Sequence, residues 1–159
     1  RTQPSDLPRN GNPVVEVDRG GRITWHGEGQ LVAYPIVPLR TPVDVVAMVK
    51  SLEDALMATC ADYGLDTVRV PGRSGVWVED DSAPARKIAA IGIRVAKGVA
   101  MHGVALNVNC DLTAYDLIVP CGIPDAGVTS LHAQGITEVT VSDVSTALGS
   151  HLVAALSWD

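Results

Sequence analysis

Two side chains in this 159-residue sequence have surroundings suited to nucleophilic chemistry, a cysteine and a lysine. Cys121 follows Pro120, whose ring fixes its own φ, and precedes Gly122, which lets another group approach the backbone closely. This setting favours a thiol held at a loop edge, although most single cysteines are inert small hydrophobic residues. Lys87 begins a stretch with an apolar face, where a lysine is more often a solvated surface charge. If the fold brings the two together, the lysine can take the thiol proton and return it to a leaving group.

A glycine-dense segment, Arg19 to Gln30, could bind a substrate through its backbone. It carries four glycines in ten positions, and NH groups freed by glycine bind anions or carbonyl oxygens. It matches neither a P-loop nor a dinucleotide-binding fingerprint. The alternative is a pair of tight turns without a ligand.

The stretch from Lys87 to Cys110 predicts a β-hairpin with Lys97 and Gly98 at its turn. This register places Gly92 opposite Gly103, and Ala90 opposite Ala105. One face is then large and apolar, with Ile91, Ile93, Val104, Leu106 and Val108. The other face, with Ala90, Gly92, Gly103, Ala105 and Asn107, is unusually small. Such a face either leaves room for a ligand or allows close helix packing, and a slip of one residue would exchange the two faces.

Two amphipathic helices and several further strands complete the predicted elements. The first helix has Thr41 as N-cap and Pro42 as its first residue, and it ends at Gly64. The second runs from Ser142 to near Trp158. Strands are predicted at 14–18, 31–39, 67–70, 75–78 and 128–131, with Pro35 marking an edge position or a bulge. Together they predict an α+β domain, a mixed sheet with helices packed on one side, in which Cys60 and Cys110 are structural.

Composition excludes several classes of protein. Apolar residues make up 47% and charged residues 19% of the chain, as in a globular domain. A net charge of −6 without a basic run argues against nucleic-acid binding, and no apolar run is long enough to span a membrane. Three cysteines fit a reducing compartment, so we expect a cytoplasmic protein. The histidines show no metal-ligand spacing, so no metal site is expected; they are His26, His102, His132 and His151.

Five segments taken in order resemble the octanoyltransferase family, also called lipoate-protein ligase B. They are Arg19-Gly-Gly-x-x-Thr-x-His-Gly-x-Gly-Gln, Gly75-Val-Trp, Lys87-Ile-Ala-Ala-Ile-Gly-Ile, His102-Gly-x-Ala-Leu-Asn-x-Asn and Ile118-Val-Pro-Cys-Gly-Ile. Their order and approximate spacing match over residues 14–157. Five motifs in sequence are far more specific than any one of them.

This resemblance implies a fold and an activity. The fold is that of the biotin/lipoate ligase catalytic domain, here a single domain over residues 1–159. The activity is transfer of an octanoyl group from acyl carrier protein to a lysine of lipoyl domains, in 2-oxoacid dehydrogenase complexes and the glycine-cleavage system. No metal or nucleotide cofactor is implied, and we expect a monomer.

The resemblance also assigns residues. Cys121 matches the cysteine that forms the acyl-thioester intermediate, and Lys87 matches the lysine that activates it. The acyl-substrate contacts match three segments, whose residues are Arg19, Gly20, Gly21, Arg22, Ile23, Thr24, Trp25, His26, Ala90, Ile91, Gly92, Gly103, Val104 and Ala105.

The sequence departs from the family at two points. Glu28 stands where the family usually has proline, and a carboxylate there could loosen the loop or repel an acidic carrier. The family also has a helix and strands before the position of Arg1, so we expect a fragment or a naturally short form with one side of the sheet or pocket open. Three alternatives therefore stay open: an ATP-dependent lipoate ligase, a non-catalytic scaffold that binds acyl groups or lipoyl domains, and a thiol hydrolase.

Overall fold

The computed structural model describes residues 8, 13–81, 83–118 and 127–157. The strands are β1 (Gln30–Ala33), β2 (Val37–Pro38), β3 (Val68–Val70), β4 (Arg73–Asp80), β5 (Ala83–Ala96), β6 (Val99–Asn107) and β7 (Gly127–Val128). The α-helices are α1 (Val45–Asp62) and α2 (Val141–Leu156), and short 3-10 helices cover Leu112–Leu117 and His132–Gln134. None of the helices described is long and apolar enough to cross a membrane.

All seven described strands belong to one sheet, in the order β1-β6-β5-β4-β3. Neighbours in that order are antiparallel, β2 also pairs with β6, and β7 pairs with β5 in parallel. The two helices pack on each other and contribute to one buried cluster with the sheet, which includes Leu52, Leu56, Leu106 and Leu148. The predicted mixed sheet with helices on one side is confirmed.

The central hairpin of β5 and β6 has the predicted register. Ala90 lies opposite Ala105, and Gly92 opposite Gly103. Both turn residues have positive φ, 52° at Lys97 and 75° at Gly98. This is the turn geometry whose twist suits a two-residue hairpin loop.

The first helix begins three residues later than predicted. Its N-cap is Asp44, whose Oδ1 accepts a hydrogen bond from the Ala47 NH at 2.9 Å, so the prediction of Thr41 as N-cap is wrong. Pro42 lies outside the helix after a cis peptide bond, and the Asp44 carboxylate satisfies the NH of Ala47, one of the first-turn NH groups that have no partner inside a helix. The predicted end is confirmed, because Tyr63 is the C-cap and Gly64 has a φ of 77°.

The second helix begins with a capping box. The Thr140 side chain accepts from the Asp143 NH, and the Asp143 carboxylate accepts from the Thr140 NH. The helix ends at Leu156, and its predicted stripe of Val144, Leu148, Leu152 and Leu156 is buried.

Two predicted strands are wrong in whole or in part. Residues 14–18 form no strand, and Val14, Val15 and Val17 are 52%, 76% and 51% exposed. Valines favour extended backbone locally, but a strand also needs a partner to satisfy its NH and CO groups, and no described strand pairs with this one. The predicted strand 128–131 reduces to Gly127–Val128. In the run 31–39, Pro35 separates β1 from β2, and both pair only with β6, so its edge position is confirmed.

Candidate active site

A cavity of about 280 Å³ lies over the small face of the β5–β6 hairpin. Most of the hairpin's large apolar residues, such as Ile93 and Leu106, belong to the core that the helices cover, and Ile91 and Val104 border both the core and the cavity. Helix packing does not explain the small face, because the helices pack against the core. The Arg19 side chain covers Gly92 and the Ala33 backbone covers Gly103, so a ligand against the remaining small residues stays a prediction.

Most of the predicted site residues line this cavity. They are Arg19, Gly21, Arg22, Thr24, His26, Lys87, Ala90, Ile91, Gly92, Gly103, Val104 and Ala105. Four residues that sequence reasoning missed line it as well, namely Tyr34, Gly72, Arg73 and Ser74. The place of Gly72, Arg73 and Ser74 at the cavity depends on how β4 pairs with β5, for which the sequence carries no local signal.

Three predicted contacts lie outside the cavity lining. Gly20 instead donates its NH to the Ile93 carbonyl at 2.9 Å, which fastens the glycine-dense segment to β5. Ile23 is half-buried away from the cavity wall. Trp25 packs edge-on against the Tyr115 ring, with centroids 5.6 Å apart, and faces a second depression that Glu28 also lines.

The glycine-dense segment forms tight turns and also borders the cavity. Arg19 Nη1 donates to the carbonyls of Gly20 and Arg22 at 3.0 and 2.9 Å, and this closes the first turn. The segment approaches β5 so closely that a Cβ on Gly92 would lie 2.7 Å from Arg19 Cδ. The predicted tight turns are thus present and place the backbone of the segment against β5, and binding of a substrate by its NH groups stays a prediction.

Lys87 is held between β4 and β7. It lies opposite Trp77 in β4 and Val128 in β7, and its Nζ is 4.7 Å from the Trp77 ring centroid, a cation–π contact. A Cβ on Gly75, whose φ is 107°, would lie 3.4 Å from Lys87 Cε and 2.5 Å from the Ala89 carbonyl oxygen. The Gly75-Val-Trp motif therefore leaves room for the lysine stem and supplies the ring against which its ammonium rests.

Cys121 lies outside the described residues, so its pairing with Lys87 stays a prediction. The chain enters that segment after the 3-10 helix Leu112–Leu117 and returns as β7, beside Lys87. The Thr129 NH then donates to the Lys87 carbonyl at 3.0 Å. The other two cysteines, Cys60 and Cys110, are buried free thiols as predicted. Burial raises the pKa of Cys60 to about 12, and burial also raises the pKa of Cys110.

A buried polar network runs behind the cavity. Gln30 Nε2 donates to Asn107 Oδ1 at 2.8 Å and to the Tyr115 hydroxyl at 2.9 Å, while its Oε1 lies 2.7 Å from His26 Nδ1. Asn107 Nδ2 donates to the Thr129 carbonyl at 3.0 Å. Sequence reasoning placed Asn107 on the small face and Gln30 at the end of the glycine-dense segment, but it did not predict that the two side chains meet.

A second polar cluster ties the irregular segment before Arg19 to the hairpin. His102 Nε2 lies 2.8 Å from Asp18 Oδ1, Asp18 also forms an ion pair with Arg94, and Tyr34 packs edge-on against the imidazole. Among the described residues, no group of three or more histidine, cysteine or acidic side chains could hold a metal ion.

The family model described as "Lipoyl protein ligase A/B catalytic domain" matches residues 2–153. A curated octanoyltransferase from Salinispora tropica is 61% identical over 153 residues, which cover 96% of this chain and 72% of that relative. The chain belongs to the octanoyltransferase family. The resemblance seen in the five motifs is thereby confirmed.

The chain also shares its fold with solved ligases. A bipartite lipoate protein ligase from Thermoplasma acidophilum superposes with a TM-score of 0.70 and 18% identity, over 87% of this chain and 55% of that one. A biotin protein ligase from Aquifex aeolicus superposes with a TM-score of 0.61 and 15% identity, over 81% of this chain and 53% of that one. The chain thus spans little more than half the length of these two structures, and at such identities they show the fold alone.

Proposed function

We propose that this domain transfers an octanoyl group from the phosphopantetheine thioester of acyl carrier protein to a lysine of a lipoyl domain. Cys121 is the nucleophile, Lys87 is its proton partner, and no metal or nucleotide takes part. The observation that carries the proposal is the position of Lys87, which lines a small-walled cavity beside β7, the strand to which the Cys121 segment returns. The 61% identity to a curated octanoyltransferase supports the acyl group.

In the first half-reaction, Lys87 takes the proton from the Cys121 thiol. The thiolate attacks the thioester carbonyl, a new C–S bond to Cys121 forms, and the bond to the pantetheine sulfur breaks. That sulfur leaves as a thiol after receiving the proton from Lys87. A tetrahedral oxyanion forms on the way, and backbone NH groups are the donors that stabilise such a charge.

In the second half-reaction, the acceptor lysine attacks the octanoyl-Cys121 thioester as a free amine. An amide bond forms, the bond between the acyl carbon and the Cys121 sulfur breaks, and the amine loses one proton. The thiol is regenerated, so the net change is one thioester and one amine converted into one amide and one thiol.

Cavity shape is consistent with this substrate. Gly92, Gly103, Ala90 and Ala105 supply walls without bulk, and a saturated acyl chain needs apolar surface and no hydrogen-bond partner. Arg19, Arg22 and Arg73 stand among the lining residues and are cations that suit the acidic surface of a carrier protein or its phosphopantetheine phosphate.

Intact-protein mass spectrometry after incubation with octanoyl carrier protein tests the proposal. We expect one octanoyl adduct on the wild type and on Cys110→Ser, no adduct on Cys121→Ser, and discharge of the adduct when a lipoyl domain is added. Lys87→Met keeps the stem that packs beside Gly75 but removes the proton acceptor, so loading should slow by about 10²–10⁴-fold.

Three results would redirect the proposal. An adduct that survives in Cys121→Ser would exclude that residue as the nucleophile. Acylation of the lipoyl domain by free octanoate plus ATP, without carrier protein, would favour the ligase alternative. A folded wild type that forms no adduct with either donor would leave the non-catalytic scaffold.

A further inference from the structure

The polar network of Gln30, Asn107 and His26 fixes the tautomer of the neutral histidine, because each hydrogen bond in it determines the orientation of the next side chain. The series of hydrogen bonds starts at the Thr129 carbonyl, which can only accept a hydrogen bond. The Asn107 group that faces it at 3.0 Å must therefore be the NH₂, and Asn107 Oδ1 must face the other way, towards Gln30.

The same argument passes through the next side chain. Asn107 Oδ1 can only accept, so the Gln30 group 2.8 Å from it must be the NH₂. Gln30 Oε1 then faces His26 Nδ1 at 2.7 Å. Because that oxygen also only accepts, His26 Nδ1 must carry the hydrogen.

A neutral imidazole has one N–H and one acceptor nitrogen. With Nδ1 committed to Gln30, the acceptor of neutral His26 is Nε2. This nitrogen has no hydrogen-bond partner within the part of the chain that the structure describes. His26 lines the same cavity as Lys87, and it is exposed, as a group at the cavity mouth must be to meet another protein.

We propose that His26 Nε2 accepts the proton that the attacking lysine of the acceptor loses in the second half-reaction, with Gln30 and Asn107 as positioning residues. The proposal rests on the proposed octanoyl transfer and adds a second proton acceptor to it. As the amine nitrogen bonds to the acyl carbon, its proton passes to Nε2. The Cys121 sulfur leaves as a thiolate, and the proton then returns from Nε2 to that sulfur.

Lys87 and His26 differ in chemistry and in position, and this difference assigns a different proton to each of them. Imidazole accepts and releases protons near neutral pH more readily than any other side chain, and a correctly oriented tautomer is what general-base catalysis needs. Lys87 is held against the Trp77 ring and beside β7, whereas His26 belongs to the glycine-dense segment, and both residues line the cavity. One base thus serves the thiol, and the other serves the incoming amine.

Long-range ¹H–¹⁵N correlation spectra of the histidine side chains test the tautomer without any substrate. At about pH 8, where imidazoles are mostly neutral, His26 should show a protonated Nδ1 and a bare Nε2. His132 provides an opposite reference in the same spectrum, because its Nε2 lies 3.0 Å from the Val139 carbonyl and must carry its hydrogen there. A His26 pattern like that of His132 would overturn the proposal.

Variants test whether the network sets this state. Gln30→Met keeps the length of the side chain and removes both of its polar groups, so His26 should lose its fixed tautomer. Gln134→Ala removes only a hydrogen bond to the Thr129 hydroxyl and should leave His26 unchanged. A fixed tautomer in Gln30→Met, or a lost one in Gln134→Ala, would mean that something other than the Thr129 carbonyl chain sets it.

Single-turnover discharge tests the chemistry. With the octanoyl adduct already formed, His26→Gln should transfer to the lipoyl domain at least about 100-fold more slowly than wild type. Gln30→Met should slow the same step and spare loading. The role of His26 would be overturned if His26→Gln discharged at the wild-type rate, or if it failed to load. Neither result would contradict octanoyl transfer by the wild type. Absence of any wild-type adduct would instead refute the transfer itself, and the tautomer would still be decided by the spectra.

Discussion

One arginine with two carboxylate partners allows burial to be separated from proximity. Arg69 in β3 forms ion pairs with Glu53 at 2.7 Å and with Asp54 at 2.6 Å. The Glu53 side chain is 7% exposed and the Asp54 side chain 65%, and Glu53 also accepts a hydrogen bond from the Gly75 NH at 3.1 Å. We predict that Arg69 couples more strongly to Glu53 than to Asp54 in the free energy of unfolding.

The magnitudes follow from the difference in burial. An exposed ion pair contributes about 0–1 kcal/mol, because water screens it and two side chains lose freedom. A hydrogen bond to a charged group that is out of water contributes about 1.5–3 kcal/mol. Arg69 itself is 38% exposed, so we expect about 2 kcal/mol for its pair with Glu53 and not the larger cost of breaking a fully buried pair.

The effects of the two carboxylates on the pKa of Arg69 rank in the opposite order, so the unfolding experiment distinguishes burial from the effect on the pKa. The pKa of Arg69 is raised chiefly by the hydrogen bond to Asp54, and the bond to Glu53 is a smaller cause. An arginine is charged at every pH of interest in either case, so this shift carries no folding energy near neutral pH.

Double-mutant cycles measured by urea unfolding provide the assay. They combine Arg69→Met with Glu53→Gln in one cycle and with Asp54→Asn in the other, all near neutral pH and at constant ionic strength. Raising the salt concentration should reduce the Asp54 coupling more than the Glu53 coupling. Equal couplings, or a larger one for Asp54, would refute the argument from burial.

Three further predictions concern a strand, a helix end and a thiol. Gly103→Ala should destabilise the fold by about 1–3 kcal/mol, because its Cβ would lie 2.3 Å from a carbonyl of β1. Gly149→Ala lies in open space on α2 and should instead stabilise the fold by about 0.5–1 kcal/mol. Chemical denaturation of the two variants measures both effects. Hydrogen bonds from the Thr140 side chain and backbone lower the pKa of Asp143 below its ordinary 3.8. The contribution of Asp143 to stability is therefore present above pH 3.8 and is lost as the pH falls through the lowered pKa. Asp143→Asn should flatten this part of the pH–stability curve, and an unchanged curve would contradict the stabilising role of the cap. Cys60, with its pKa raised to about 12 by burial, should resist alkylation in the native protein and react only after unfolding, as peptide mapping would show.

The elements that sequence reasoning predicted well are those with a local cause. The hairpin register follows from two turn residues and from alternation along β5 and β6, so the pairing of Gly92 with Gly103 could be predicted. The end of α1 follows from Gly64, and the burial of Cys60 follows from its place on the apolar stripe. In each case the determining residues lie within a few positions of the feature.

The features that were missed depend on distant parts of the chain. The valines of residues 14–18 favour extended backbone as they would in a strand, but the segment has no partner strand among the described residues and is irregular. The predicted cap at Thr41 had a suitable residue type, but Asp44 competes with it three positions later. Gln30 and Asn107 form a hydrogen bond although they are 77 positions apart in the sequence, so no local pattern around either residue predicts their contact.

The positive-φ turn at Lys97 and Gly98 has a consequence for how the cavity can change over time. Side chains alternate along both strands of this hairpin, so a single inserted or deleted turn residue would shift the register and bring the large apolar side chains of β6 to the cavity face. A substitution in the cavity wall alters its volume by one side chain, whereas such a slip would replace the wall altogether. The residues that form the cavity wall therefore depend on a surface turn outside the lining, and a change in the length of that turn should be poorly tolerated.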